Sequence, residues 1–137
     1  MNKVRPADIP EPDVAKVSQA VDRIFSFVRK VFTTSSVITE LHTLAERRTK
    51  SVGISITEFI DVYAEVIQKI EEKHVPKDDI LGYKKGWKMC FTDTSLFLAS
   101  CNLKLPVLTT DLKFRNFCQK YNVPAYHLYY DVFLKFP

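Results

Sequence analysis

The strongest constraint on the fold of this chain is a set of short β-prone runs that pass directly into helical periodicity. Val31-Phe32-Thr33-Thr34 leads into a stretch in which Val37, Ile38, Leu41, Leu44 and Ala45 share one helical face. Pro106-Val107-Leu108-Thr109-Thr110 leads into Leu112, Phe114, Phe117, Cys118 and Tyr121, again at helical spacing. A last strand is expected from about Ala125. Strands alternating with helices describe α/β architecture with a parallel sheet, and such sheets carry their sites at the carboxyl ends of the strands. Thr33-Thr34 and Thr109-Thr110-Asp111 stand at such ends.

The intervening stretches read as helices. Pro12-Asp13 opens an amphipathic helix through Val14, Val17, Ala20, Val21, Ile24, Phe25 and Val28. The helix after Val31-Thr34 starts at Ser35 or Ser36 and is expected to end among Glu46-Arg47-Arg48. Ser55-Ile56-Thr57-Glu58 has the form of a capping box, with Ile54 and Phe59 as its hydrophobic staple, and the helix it opens should reach Lys73 before Val75-Pro76. Asp78 can cap a short helix reaching Lys85. The segment from Asp93 to Cys101 is apolar nearly all round, so it should be central and buried. Asn122 supplies C-cap chemistry to the helix after Asp111. From Tyr126 to Phe136 the residues alternate with a period of two, which predicts a strand whose apolar side needs cover from a partner or from its own helices. Residues 1–13, with Pro6, Pro10 and Pro12, form an extended proline-rich segment, and residues 14–137 are expected to make one domain.

Bulk properties exclude several classes. With 46% hydrophobic and 26% charged residues, the composition is that of a folded globular chain rather than a disordered one. The excess of 20 Lys+Arg over 16 Asp+Glu is compatible with a polyanionic partner but does not establish one. No apolar run approaches the roughly 18 residues needed to span a bilayer, and there is no apolar signal core, so no membrane association is expected and the cytoplasm is the expected compartment. Cys90, Cys101 and Cys118 are odd in number and lack metal-knuckle spacing; they read as buried thiols in a reducing compartment. His42, His74 and His127 show no paired ligand spacing and receive no catalytic role.

Acidic residues mark a candidate site. The helix from Asp93 to about Cys101 rises roughly 12 Å, and the strand from Pro106 to Thr110 returns roughly 16 Å, which is expected to bring Asp111 back near Asp93. Two carboxylates side by side repel unless a proton or cation lies between them, so the pair is a candidate divalent-metal site. Glu40, about one turn into its helix, can reach back to the same strand ends. The plainer alternative is that all three acids are unrelated helix caps and surface residues, since Asp is favoured at N-caps and Glu in helices.

Ser35-Ser36-Val37-Ile38-Thr39-Glu40-Leu41, Thr92-Asp93-Thr94-Ser95-Leu96 and Pro106-Val107-Leu108-Thr109-Thr110-Asp111-Leu112-Lys113-Phe114 together resemble, in order and spacing, three landmarks of the PIN domain, most closely those of VapC-type toxins. The resemblance covers about residues 14 to 130. It implies a three-layer α/β fold with a central, mainly parallel sheet flanked by helices, and a ribonuclease using Mg²⁺ or Mn²⁺. By that resemblance Glu40, Asp93 and Asp111 are catalytic metal ligands, with Ser36 and Thr110 orienting them. It further implies a toxin paired with an antitoxin protein, and a homodimer. The chain departs from the pattern at its start. PIN domains open with an apolar strand ending in the first catalytic Asp; here Asp8 stands at the expected place, but Pro6 cannot donate to a strand ladder. A catalytically depleted PIN-like module that binds RNA or a protein partner is therefore the alternative reading.

Lysines supply candidate RNA contacts. Lys113 and Arg115 follow Asp111, and Gly82-Tyr83-Lys84-Lys85-Gly86-Trp87-Lys88 interleaves cations with aromatics in a way that suits a phosphate backbone and a stacked base. The plainer alternative for that run is a solvated helix end with Trp87 packed inward.

Overall fold

A computed structural model of the chain describes residues 19, 22–53, 64 and 67–133. Asp8, the proline-rich segment, the expected capping box at Ser55 and the end of the tail lie outside the described residues. The protein is mixed α/β with parallel strand pairs. The chain divides into two compact units, one of residues 30–103 and one joining the segment before Lys30 to the residues from Lys104 onward.

In the 30–103 unit, β1 (Val31–Thr34) runs straight into α1 (Ser35–Val52), as its β-branched and aromatic residues followed by serines predict. Helix α1 continues past Glu46-Arg47-Arg48, where the sequence suggested it would stop. Good helix formers and a Glu46–Lys50 ion pair one turn apart carry it to Gly53, whose φ of +75° ends it in the left-handed conformation glycine adopts freely. Ala45 is buried, whereas Leu41 and Leu44, expected on the same buried stripe, are exposed.

Strand β2 (Ile70–Lys73) pairs parallel to β1, with Val31 beside Ile70 and Thr34 beside Lys73. This corrects the expected helix through Lys73: residues 67 and 68 are helical, but the chain has become a strand by Ile70. Ile-Glu-Glu-Lys carries little β propensity, and only Ile70 turns toward the core, so pairing with β1 overrides local preference. Next come α2 (Lys77–Gly82), a 3-10 turn (Lys84–Lys88) and α3 (Phe91–Leu103). Pro76, rather than Asp78, precedes the first turn of α2. Helix α3 buries Thr94, Ser95, Phe97, Ala99 and Ser100, in keeping with a central helix, and packs against both α1 and β1.

In the other unit, β3 (Val107–Thr109) leads through Asp111 into α4 (Leu112–Lys120), which closes in a Schellman arrangement. Asn122 has φ +62°. Its N–H bonds to the Gln119 carbonyl, and the Val123 N–H reaches the Cys118 carbonyl. Strand β4 (Ala125–His127) pairs parallel with β3, and Phe114, Cys118, Val107 and Ala125 form the core.

The described strands thus form two two-stranded parallel ladders, β1–β2 and β3–β4. A further correction concerns the tail. The period-two strand stops at His127, and Leu128–Phe133 coil into a π-helical turn. Two side chains cause this. Asp131, 8% exposed, accepts the His127 backbone N–H at 2.6 Å, while His127 Nδ1 accepts the N–H groups of Tyr129 and Tyr130 at 3.1 and 3.2 Å. Side-chain acceptors have replaced the partner strand.

A buried hydroxyl relay ties β1 to α3. Ser95 Oγ donates to the Thr92 carbonyl at 2.7 Å, so its own lone pair receives the Thr34 hydroxyl, also at 2.7 Å. Both residues are at most 2% exposed. Ser95→Ala orphans the Thr34 hydroxyl and should cost about 1–3 kcal/mol in urea unfolding. The Thr34→Val/Ser95→Ala double variant should lose less than the sum of the single losses.

Candidate functional site

The site is assembled where the carboxyl end of β1 meets the start of α3. Thr34 is the last residue of β1 and Ser35 the first of α1, so the relay to Ser95 holds the head of α1 against the first turn of α3. Glu40 stands on α1 and Asp93 on that first turn of α3. Cys90, just before α3, works as its cap: its Sγ accepts the Asp93 N–H at 3.4 Å, and its carbonyl accepts the Thr94 N–H at 3.0 Å.

Cys90 also reports on both acids. Partial burial, and then the negative charges of Asp93 and Glu40, push its thiol above the ordinary thiol range, with the Asp93 N–H opposing them. Of the two acids expected from sequence, Asp93 touches Cys90 through its backbone N–H, and the charge of Glu40 adds a smaller upward push on the thiol. Ser36 is half-buried on the first turn of α1, one helical turn before Glu40. Ser35 donates instead to Glu72 on β2, a carboxylate on the same strand ends that the sequence reading placed in a helix.

Asp111 belongs to the other unit, where it does the work of a cap. Its Oδ1 accepts the Phe114 N–H at 3.1 Å, and its own N–H donates to Thr109 Oγ1 at 3.0 Å. The Thr110 side chain is exposed, and its carbonyl is held at 2.9 Å by His127 Nε2. Because Nδ1 of His127 already accepts two backbone N–H groups, the ring proton sits on Nε2 and donates to Thr110. His127, given no role from sequence, fixes the turn that carries Asp111.

Arg115 is drawn into the protein rather than toward a ligand. Its Nε donates to Asp131 Oδ2 at 2.8 Å, its Nη2 to Asp131 Oδ1, and its Nη1 to Asn116 at 2.8 Å. Lys113 is exposed and better placed to meet a phosphate. Lys84 and Lys85 are exposed on the 3-10 turn. Cys90 and Cys101 are exposed, contrary to the expectation of buried thiols; only Cys118 is buried.

No protein-family model, curated protein or solved structure matches the chain. Among the described residues no helix is long and apolar enough to cross a membrane. Within neither unit do the described residues gather three His, Cys, Asp or Glu side chains suited to one metal ion. The donors at hand are thus the two carboxylates of Glu40 and Asp93. Carboxylates are the donor type that a hard divalent cation such as Mg²⁺ takes, commonly one or two completed by water and substrate phosphates.

The acids' hold on Cys90 can be tested by alkylation with iodoacetamide, read by mass spectrometry of the Cys90 peptide. A raised thiol pKa lowers the thiolate fraction, so the rate-versus-pH curve of Cys90 should lie to higher pH than that of the same peptide in the unfolded chain. Glu40→Gln and Asp93→Asn should each move the curve to lower pH. Superimposable curves for all proteins would show that the acids do not act on the thiol.

Proposed function

We propose that this protein is a divalent-metal-dependent endoribonuclease that hydrolyses RNA phosphodiesters at the Glu40–Asp93 acid pair. The observation that carries the reading is that Glu40 on α1 and Asp93 in the first turn of α3 stand on two helices whose heads the Thr34–Ser95 hydroxyl pair ties together at the end of β1. The resemblance of the three acidic segments to those of PIN domains supports it, and VapC-type likeness adds the reading of a toxin held by an antitoxin.

In this account Glu40 and Asp93 would hold Mg²⁺ or Mn²⁺, and the chemistry such an ion would supply is charge for the phosphate and polarisation of water. The chain's own groups do the positioning. The Thr34–Ser95 relay fixes the distance between the heads of α1 and α3. Ser36 offers a hydroxyl one helical turn before Glu40.

A second reading has an observation in its favour. The chain's start departs from the PIN pattern, since Pro6 cannot donate to a strand ladder ahead of Asp8, and this favours a module that binds RNA or a protein partner without cleaving it.

Cleavage of a fluorophore–quencher RNA by highly purified protein separates the two. The nuclease reading predicts turnover in Mn²⁺ or Mg²⁺ that EDTA abolishes. Glu40→Gln and Asp93→Asn should each lower the rate by roughly 100-fold or more, since groups one shell further out are commonly worth 10–100-fold. Turnover that is indifferent to both substitutions would overturn the nuclease reading. No turnover at all would leave the binding module.

A further inference from the structure

The chain's single tryptophan is one of its most exposed large side chains. Trp87 is 75% exposed, so the inward-packed alternative weighed from sequence does not hold. Neighbouring Tyr83 behaves in the opposite way, packing on Phe97 with ring centroids 5.3 Å apart. One aromatic of this segment anchors the turn and the other is displayed by it.

The backbone beneath Trp87 is firmly held. Gly86 is buried, and a Cβ there would lie 2.6 Å from Thr94 Oγ1 and 2.7 Å from Thr94 Cγ2, so the turn rests directly on α3. The Gly86 N–H bonds to the Tyr83 carbonyl at 3.0 Å, and the Met89 N–H to the Gly86 carbonyl at 2.8 Å. Thr94 Oγ1 approaches the carbonyls of Cys90 and Gly86 at 3.0 and 3.3 Å. A ring on such a mount loses little further conformational entropy when it binds.

Its surroundings select the ligand. Lys84, Lys85 and Lys88 lie in the same five-residue turn and are all exposed, and Phe91, 46% exposed, opens the helix that follows. The acidic residues of the adjoining helices are Asp78 and Asp79 in the first turn of α2 and Asp93 in that of α3. An exposed aromatic flanked by ammonium groups matches the two surfaces of an unpaired nucleotide, its π-face and its phosphate. A membrane interface would call for a long helix with a continuous apolar face, and α2 has six residues. A base within a duplex presents no free face to stack upon.

We propose that the Lys84–Lys88 turn is a stacking platform for unpaired nucleic acid, with a base on Trp87 and the adjoining phosphates on Lys84 and Lys88. The turn leads through Cys90 into the helix that carries Asp93, so a strand held there is delivered toward the acid pair. That last step rests on the nuclease reading; the stacking does not.

Because Trp87 is the only tryptophan, its emission reports on this site alone. Titration with a short oligouridylate in EDTA should quench it saturably. Trp87→Ala, followed by anisotropy of a labelled oligouridylate, should weaken binding about tenfold, and Trp87→Phe should recover part of the loss. Lys84→Gln and Lys88→Gln should each reduce the salt slope by roughly one. The matching duplex should bind more weakly. Oligothymidylate binding as well as oligouridylate assigns the platform to unpaired strands of either sugar, and a preference for oligouridylate assigns it to RNA; both support it.

Absence of quenching, wild-type affinity in a folded Trp87→Ala variant, or equal binding of the duplex would overturn it. So would a blue shift with anionic phosphatidylserine vesicles in place of quenching by the oligonucleotides. Binding by the wild type with no cleavage in Mn²⁺ or Mg²⁺ would refute the nuclease reading alone, whereas cleavage with an unchanged KM in Trp87→Ala would refute the platform alone.

Discussion

The hydroxyl pair of Thr34 and Ser95 is the constraint on which the 30–103 unit turns. A strand of four residues is too short to fix its own position, and its edge hydrogen bonds say nothing about which helix lies beside its end. The relay from Thr34 through Ser95 to the Thr92 carbonyl supplies that information, because both hydroxyls are buried and find their partners in each other and in that carbonyl. The head of α1 and the first turn of α3 are thereby held in register. Glu40 and Asp93 follow from this placement, and so does the shared influence on Cys90. Thr94 extends the same logic outward, seating the turn that displays Trp87.

The unit containing the chain's C-terminal part has a polar determinant of a different kind. Asp131 receives two guanidinium nitrogens from Arg115 and the His127 N–H, while His127 uses both ring nitrogens on backbone groups. A charge pair buried this far contributes little net stability compared with an apolar replacement, yet removing one partner leaves the other stranded, so its main effect is to enforce one geometry. That geometry ends β4 at His127 and holds the turn before Asp111. An arginine that looks from sequence like a phosphate contact is thus engaged by a buried carboxylate of its own unit.

Much of this was legible from residue order. β1, the start of α1, the buried character of α3, the Asp111 cap and the Asn122 stop all follow from local chemistry, since β-branched runs, caps and left-handed residues act within a few positions of themselves. The misses have non-local causes. Ile70–Lys73 became a strand because β1 offered it an edge, and the tail coiled because Asp131, His127 and Arg115 met across the fold. At the candidate site the placement of Glu40 on the helix after β1 and of Asp93 in the first turn of α3 was readable from the residue pattern. Cys90 was not, although a cysteine three residues ahead of Asp93 occupies the capping position, and that spacing was the available signal. Glu72 was hidden by the expectation of a helix.

The central claim is that Glu40 and Asp93 act together as one cation-binding pair. Isothermal titration of Mn²⁺ into metal-free protein, beside the Glu40→Gln/Asp93→Asn double variant, tests it most directly. The account predicts saturable binding by the wild type that the double variant loses while keeping its cooperative unfolding. Equal binding by both proteins, or none by the wild type, would contradict it.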